Sequence, residues 1–493
     1  MTRVRLGVLA GIVGFLAFVE FTSGFLQGYY TPMLSNIARH LDVPDADVNW
    51  LEGSQLMLSA LVVPALAKLG DMVGHKRILL WSTAITAVAS LALPFAQTFP
   101  LFLAAWTLQG VYVVWLPLEI ALIWSRTSGR DGRSLLTARA AGILVAALEA
   151  GAISGALIGG QLIDSFPIFG VLLVPGVLVT LCFFVIAFGV AESPEQLGGR
   201  LDYVGLMLIT VALLAFTGGL SLLRLQGVGS VLAWAVVVLG LVLVVPFARW
   251  ELRHPDPLID VRMFRSPALA PVFVTAALFG MSVLGAQAPL STFIRTDPES
   301  AGYGLGIGGF ATSLVIGLYL IAMVIGALLY PFVARLNTPR NTLAGAALLV
   351  AIGYLLFLPF HDTYTHMVTN MMIAGLGSGA LVAALPAAAA AGAPDHLTGV
   401  ATGLTNSTKT VGGAIASAIF GIALMHGVAG AAGTTGAEAG GGTAGSFTGY
   451  VIVWCVCGGS ALVAAIALRF VVPQQAFRDR ESVPQPVSPS QAG

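Results

Sequence analysis

Residues 67–77 read AKLGDMVGHKR and lie between two long apolar runs, LMLSALVVPAL (56–66) and ILLWSTAITAVASLALPFA (78–96). Charged residues make up only 9% of the chain, yet Lys68, Asp71, Lys76 and Arg77 crowd here with His75 and two glycines. Each flanking run belongs to a longer apolar segment of membrane-crossing length, 49–67 and 78–97, so the charged stretch reads as a tight loop at a membrane surface.

Composition extends that reading to the whole chain. Of 493 residues, 57% are hydrophobic, and the mean hydropathy is +0.91. A soluble chain is roughly 45–50% apolar and about 25% charged. Apolar segments of about 20 residues recur throughout, each long enough for a hydrocarbon core of about 30 Å. Lipid satisfies no backbone amide, so these segments are expected to be helices. The alternation of a membrane barrel is absent.

The predicted spans are approximately 6–30, 49–67, 78–97, 100–124, 140–163, 169–191, 204–223, 230–249, 267–291, 309–333, 342–360, 366–390, 400–426 and 448–471. That is an all-α polytopic membrane protein of about fourteen helices. The first run lacks a small-residue cleavage site and is read as a retained span. An even number places both termini on one side, and positive charge says which. Arg3, Arg5, Lys68, Lys76, Arg77, Arg126, Arg130, Arg133 and Arg139 share that side, as do Arg249, Arg253, Arg262 and Arg265. Arg39, Arg224 and Arg295 fall opposite. N-in, C-in in the cytoplasmic membrane follows as the expectation. Residues 427–446 read as a flexible outer linker, and the polar tail 473–493 as a disordered cytoplasmic segment.

Several function classes drop out. A formal net charge of +0 gives no case for nucleic acid. Cys182, Cys455 and Cys457 lie inside apolar runs, so no disulfide framework is expected. No metal-ligand spacing and no P-loop occurs, so neither a metal, another cofactor nor ATP is implied. A membrane-embedded enzyme would be expected to carry acidic or histidine clusters on long outer loops. These loops are short and nearly free of both, so no enzyme is expected.

With the spans in place, the opening stretch resembles the loop signature G-x-L-A-D-R-x-G-R-K of the major facilitator superfamily. Leu69, Asp71, Gly74 and Lys76 match, while Ala67, Gly70, Met72 and His75 depart from it. Gly151, Gly155, Gly159 and Gly160 in the fifth span resemble the antiporter motif G-x-x-x-G-P-x-x-G-G, with Ala156 in the proline position. FARWELRHPDPLIDVRMF (247–264) and GLTNSTKTVGGAIASAIFG (403–421) resemble segments of the fourteen-helix drug:proton antiporters of EmrB/QacA type. Two departures stand out. The fourth-span pattern R-x-x-Q-G reads Trp106-Thr107-Leu108-Gln109-Gly110, and the first-span L-D-x-T reads Val19-Glu20-Phe21-Thr22.

The resemblance implies a six-helix bundle over 1–192, two additional helices and a connector over 193–264, and a second six-helix bundle over 265–472. It also implies that Asp71, with Gly74, Lys76 and Arg77, forms a conformational gate against cations or the N-terminus of a facing helix.

Charges inside spans are the candidate site. A charge at the bilayer centre costs on the order of 2.5–3.5 kcal/mol on insertion scales. Glu20, Glu119, Glu149 and Lys409 must therefore be protonated, paired or facing water. Glu20 lies 15 residues past Arg5, about 22 Å along a helix and near mid-membrane. It is a candidate for proton coupling, or for a structural hydrogen bond. Glu149 and Glu119 are placed at similar depths on neighbouring helices and are the further proton-coupling candidates. A salt bridge to a loop arginine is the other reading of Glu119. Glu52 reads as a wetted helix terminus. Lys409 pairs with a carboxylate or touches substrate. Trp106, Gln109, Tyr112 and Pro117 are assigned to the substrate cavity, with packing as the competing role of the aromatic rings. The glycine stripe reads as close helix packing. The expected activity is proton-coupled efflux of small amphipathic compounds, with a solute importer or lipid carrier on the same fold as the alternative.

Overall fold

The computed structural model of the 493-residue chain describes residues 2–126, 133–192, 202–255, 257–393, 398–431 and 444–472. The tail 473–493 and most of the predicted outer linker (432–443) lie outside them. Residues 427–431 of that linker instead continue a helix.

In chain order the helices are α1 (Thr2–Tyr29), α2 (Leu34–His40), α3 (Val48–Val73), α4 (His75–Ala92), α5 (Phe99–Gln109) and α6 (Trp115–Arg126). Then come α7 (Arg133–Ser165), α8 (Ile168–Gly189), α9 (Tyr203–Gln226), α10 (Val231–Glu251), α11 (Ala270–Val283) and α12 (Gln287–Arg295). The chain closes with α13 (Pro298–Ala301), α14 (Gly309–Leu336), α15 (Pro339–Leu355), α16 (Tyr364–Gly392), α17 (Thr398–Ala431) and α18 (Phe447–Ile466). No strand occurs among the described residues. Twelve stretches of these helices are long and apolar enough to cross a membrane. The remaining predicted spans, 6–30 and 342–360, fall on the 28-residue α1 and the 17-residue α15.

Two predicted spans are broken rather than continuous. The 100–124 span is interrupted by a 3₁₀ turn, Gly110–Val114, between α5 and α6. Pro117 has no N–H to give the carbonyl four residues back and crowds it. Ser59 of α3 donates to the Gly110 carbonyl at 2.8 Å, so the break stays hydrogen-bonded inside the bundle. The 267–291 span divides into α11 and α12, and Pro289 stands near the start of the second piece.

Buried apolar residues fall into two cores. One gathers residues between Val13 and Val237, the other residues between Met263 and Val472, with few crossings. Lipid tails are as apolar as leucine, so what holds such helices together is close packing rather than escape from water. The contact of α1 with α7 shows how. A Cβ on Gly151 would stand 2.0 Å from the Phe21 carbonyl oxygen, one on Gly155 2.5 Å from that of Phe25, and one on Gly159 2.2 Å from that of Tyr29. Gly24 and Gly28 of α1 press equally closely on Leu148 and Ala152. The stripe therefore joins two helices of the same bundle. Gly160 alone turns to the second bundle, 2.5 Å from the Gly309 carbonyl oxygen by the same measure.

Gly151→Ala is thus expected to force α1 and α7 apart. Overpacking of this kind costs about 1–3 kcal/mol, to be read as a fall in the thermal unfolding midpoint of the detergent-solubilised protein. An unchanged midpoint would show that the two helices separate freely.

Candidate transport pathway and its gates

The four charges inside the predicted spans separate into two places. Glu20 of α1 and Glu119 of α6 are both fully buried in the first bundle. Neither carboxylate has a hydrogen-bond partner among the described residues. Each lies within electrostatic reach of the other, and Cys182 of α8 lies within reach of both.

Glu149 of α7 instead faces Lys409 of α17, in the second bundle, within electrostatic reach. Tyr319 of α14 is also in range of Glu149. Both charged side chains are half-buried. Glu119 and Glu149, grouped by depth in the sequence, therefore belong to different pairs. Helical geometry explains the split: at 100° per residue, Glu149 lies beside the face bearing Gly151 and Gly155, not on it. That face meets α1, and Glu149 looks past it towards α17. The Lys409 backbone is fixed from behind by α11, where a Cβ on Gly280 would come 1.9 Å from the Lys409 carbonyl oxygen.

The residues assigned to the substrate cavity divide: four lie on α5, α6 and the turn between them, and Lys409 on α17. Trp106, Gln109 and Tyr112 are buried in the first bundle. Gln109 donates to the Tyr30 hydroxyl at 3.0 Å and to Ser90 Oγ at 2.8 Å. The Trp106 ring lies 4.7 Å from Tyr30 and 5.9 Å from Phe102. An aromatic cluster thus occupies the place where the family pattern has arginine. Pro117 is half-buried and shapes the break described above.

The loop at 67–77 is held within its own bundle. Gly74 ends α3 at φ +115°, a conformation that side chains disfavour. Asp71 pairs with His75 at 3.0 Å. The exposed N-terminal amides of α4 are taken by Glu192, which accepts from Lys76 N at 2.9 Å and Arg77 N at 3.2 Å. An anion is favoured at that helix end. Lys76 Nζ also donates to the Ala187 carbonyl at 3.0 Å. Glu192 further acts on Arg126, whose pKa burial lowers and Glu192 raises back. Lys68 reaches the connector, donating to the Pro257 carbonyl at 3.1 Å. Glu192 was missed in the sequence, where it reads as an ordinary polar residue after a span.

The opposite end carries the contact expected of Asp71. Asp164, at the end of α7, accepts from Gly309 N and Phe310 N at 2.9 Å each, capping α14 of the second bundle. Arg295 stands 3.9 Å from the same carboxylate. Nearby, Glu52 accepts from Ala288 N at 3.3 Å, and Ser291 Oγ donates to the Thr31 carbonyl. Glu52 is therefore a bridge between bundles and not the wetted terminus expected. Gly53 packs on Ser417, and Gly421 on Trp50. At the loop 67–77 end of the same helices, Gly142 of α7 and Gly403 of α17 have open space where a side chain would stand. The two bundles are closed on each other at the Asp164 end.

Among the described residues, no group of three or more His, Cys, Asp or Glu side chains is placed to hold a metal ion. The chain is similar to the multidrug efflux pump LfrA of Mycolicibacterium smegmatis, 25% identical over 74% of this chain and 71% of LfrA. It is also similar to the cephamycin export protein CmcT of Amycolatopsis lactamdurans, 26% identical over 83% of this chain and 82% of CmcT. In fold it matches a POT family transporter solved with 5-aminolevulinic acid, with a TM-score of 0.69, 15% identity, and coverage of 94% of this chain and 96% of the other. The sequence model of the Major Facilitator Superfamily matches residues 16–417. Two packed helical cores, a charged loop after the second long helix and a match over most of the length agree: the chain belongs to the Major Facilitator Superfamily, as a multi-pass membrane transporter of small molecules.

Proposed function

We propose that this protein exports small amphipathic organic compounds across the cytoplasmic membrane in exchange for protons, by alternating access. The observation that carries the proposal is the separation of the intramembrane charges. Glu20 and Glu119 form an unpartnered carboxyl pair inside one bundle, while Glu149 and Lys409 oppose each other across the two. Two carboxylates buried together without a counter-charge hold protons more readily than two negative charges. Glu149 and Lys409 offer a charged site between the bundles where substrate and proton compete, which is linkage between sites. The names of LfrA and CmcT support export.

In this reading α1 and α15 complete fourteen crossings, with both termini in the cytoplasm. The bundles are 1–192 and 265–472, and 193–264 is the added pair of helices with its connector. Closure at the Asp164 end then makes this the inward-facing state, with Asp71 released from the latch it forms in the outward-facing one. A potential of 100 mV supplies about 2.3 kcal/mol per charge, or roughly a fifty-fold gradient for one net charge moved.

A solute importer is the second reading, favoured by Trp106 where the fourth-span arginine would stand. Everted vesicles separate the two, because an exporter accumulates substrate when the interior is acidified. In the same vesicles Glu20→Gln should abolish substrate-induced proton release while leaving substrate exchange intact. Proton release that survives in the variant removes Glu20 from the coupling.

A further inference from the structure

A cavity of about 410 Å³ lies between the start of α9 and the end of α10. Leu208, Pro246, Arg249, Trp250, Arg253 and His254 line it. The helix pair that carries it exposes apolar side chains along its length, among them Met207, Val211, Leu214, Val242 and Val245. The cavity is at the end of the molecule that bears the loop 67–77, since Lys68 bonds to Pro257 a few residues further along.

Cations at a helix C-terminus are favoured by the helix dipole, so Arg249 and Arg253 alone would not make a site. Three features go further. The backbone carbonyls beneath them are already engaged, Ala248 by Leu252 N and Trp250 by Arg253 N and His254 N, so the guanidiniums have no need of those oxygens. Both arginines are exposed. Among the described residues the nearby carboxylates are buried: Asp202 accepts from Trp250 Nε1 and from Gly205 N, and one oxygen of Glu251 accepts from Ile259 N. His254 stacks on Trp250 with ring centres 5.9 Å apart and sits 4.0 Å from Asp202. Trp250 is thereby fixed at the rim, and an indole at this depth marks the headgroup level.

From this geometry we infer that the cavity binds an anionic phospholipid, its phosphate held by Arg249 and Arg253 at the rim and an acyl chain lying on Leu208, Pro246 and the exposed flank of α9 and α10. Guanidinium groups suit phosphate oxygens, and a cavity of this volume is in the range of ligand sites. The site would tie the added helix pair, and the connector beyond it, to one leaflet.

The test uses the intact purified protein and native mass spectrometry, with phosphatidylglycerol and phosphatidylcholine as probes. Wild type should retain phosphatidylglycerol in preference. The double variant Arg249→Gln/Arg253→Gln should retain it about twenty-five-fold less, about fivefold for each guanidinium. Arg265→Gln, an exposed arginine at the same end but outside the cavity, should change nothing. If the double variant fails to fold, Arg253→Gln alone, on the turn after α10, should show the fivefold loss. Unchanged retention in the cavity variants overturns the site, and so does an equal loss in Arg265→Gln. Displacement of the lipid by glycerol 3-phosphate at equal concentration would make it a soluble-anion site and overturn the lipid assignment.

Discussion

Lys409→Met should reduce substrate exchange by about thirtyfold in vesicles with no proton gradient. The argument starts from the pairing of Lys409 with Glu149 across the two bundles. Removing one partner of a fully buried pair costs about 3–5 kcal/mol, chiefly because the other charge is left uncompensated. Both groups here are half-buried, so about 2 kcal/mol is the appropriate figure, and that corresponds to about thirtyfold. Exchange without a gradient is the right assay, because it requires the bundles to move with substrate but no net proton transfer. The reversed pair Glu149→Lys/Lys409→Glu should recover much of the loss if the two groups act on each other. A double variant whose loss equals the sum of the single losses would show that they act independently.

How much of this was legible in the sequence depends on whether a feature is local. The helices were, because runs such as 78–96 and 169–191 leave the backbone no other way to satisfy its amides in lipid. So was the turn at Gly74. The glycine stripe was readable as a packing face, because its four-residue spacing keeps it on one side of a helix. The breaks at 110–114 and 284–286 were not read as breaks, although Gly110, Pro117, Gly285 and Pro289 were the signals. An apolar run hides a local unwinding that a neighbouring helix repairs, as Ser59 does for Gly110. The partners of buried charges were the least legible. Depth along a helix grouped Glu119 with Glu149, but the fold sets Glu119 within reach of Glu20 instead. Asp164 and Glu192 carry no local mark at all. Each is an ordinary acid after a span, and each acquires its role only when another helix presents its N-terminus.

That shared role makes Asp164 the second position where a large effect is expected. Asp164→Ala should open the end of the molecule that is closed here, and Ser313 is the place to see it. Ser313 is fully buried on α14 against Gly160, in the seam between the bundles. In a background with Cys455 replaced by Ala, Ser313→Cys should react slowly with a membrane-impermeant maleimide. Adding Asp164→Ala should raise that rate about tenfold. An acid at a helix N-terminus contributes up to about 2 kcal/mol in partly buried geometry. Asp164 is a third exposed, which discounts the gain to somewhat over 1 kcal/mol, about one decade in the population of the open state. Arg295 and the α14 amides remain in place and are rehydrated, so the fold itself should survive, with an unchanged unfolding midpoint as the control. Asp71→Asn should move the labelling the other way or leave it unchanged, because among the described residues Asp71 pairs within its own loop, to His75. Equal labelling with and without Asp164 would mean that Glu52, Ser291 and the packing of α3 on α17 keep the seam shut by themselves, and that the carboxylate is no latch.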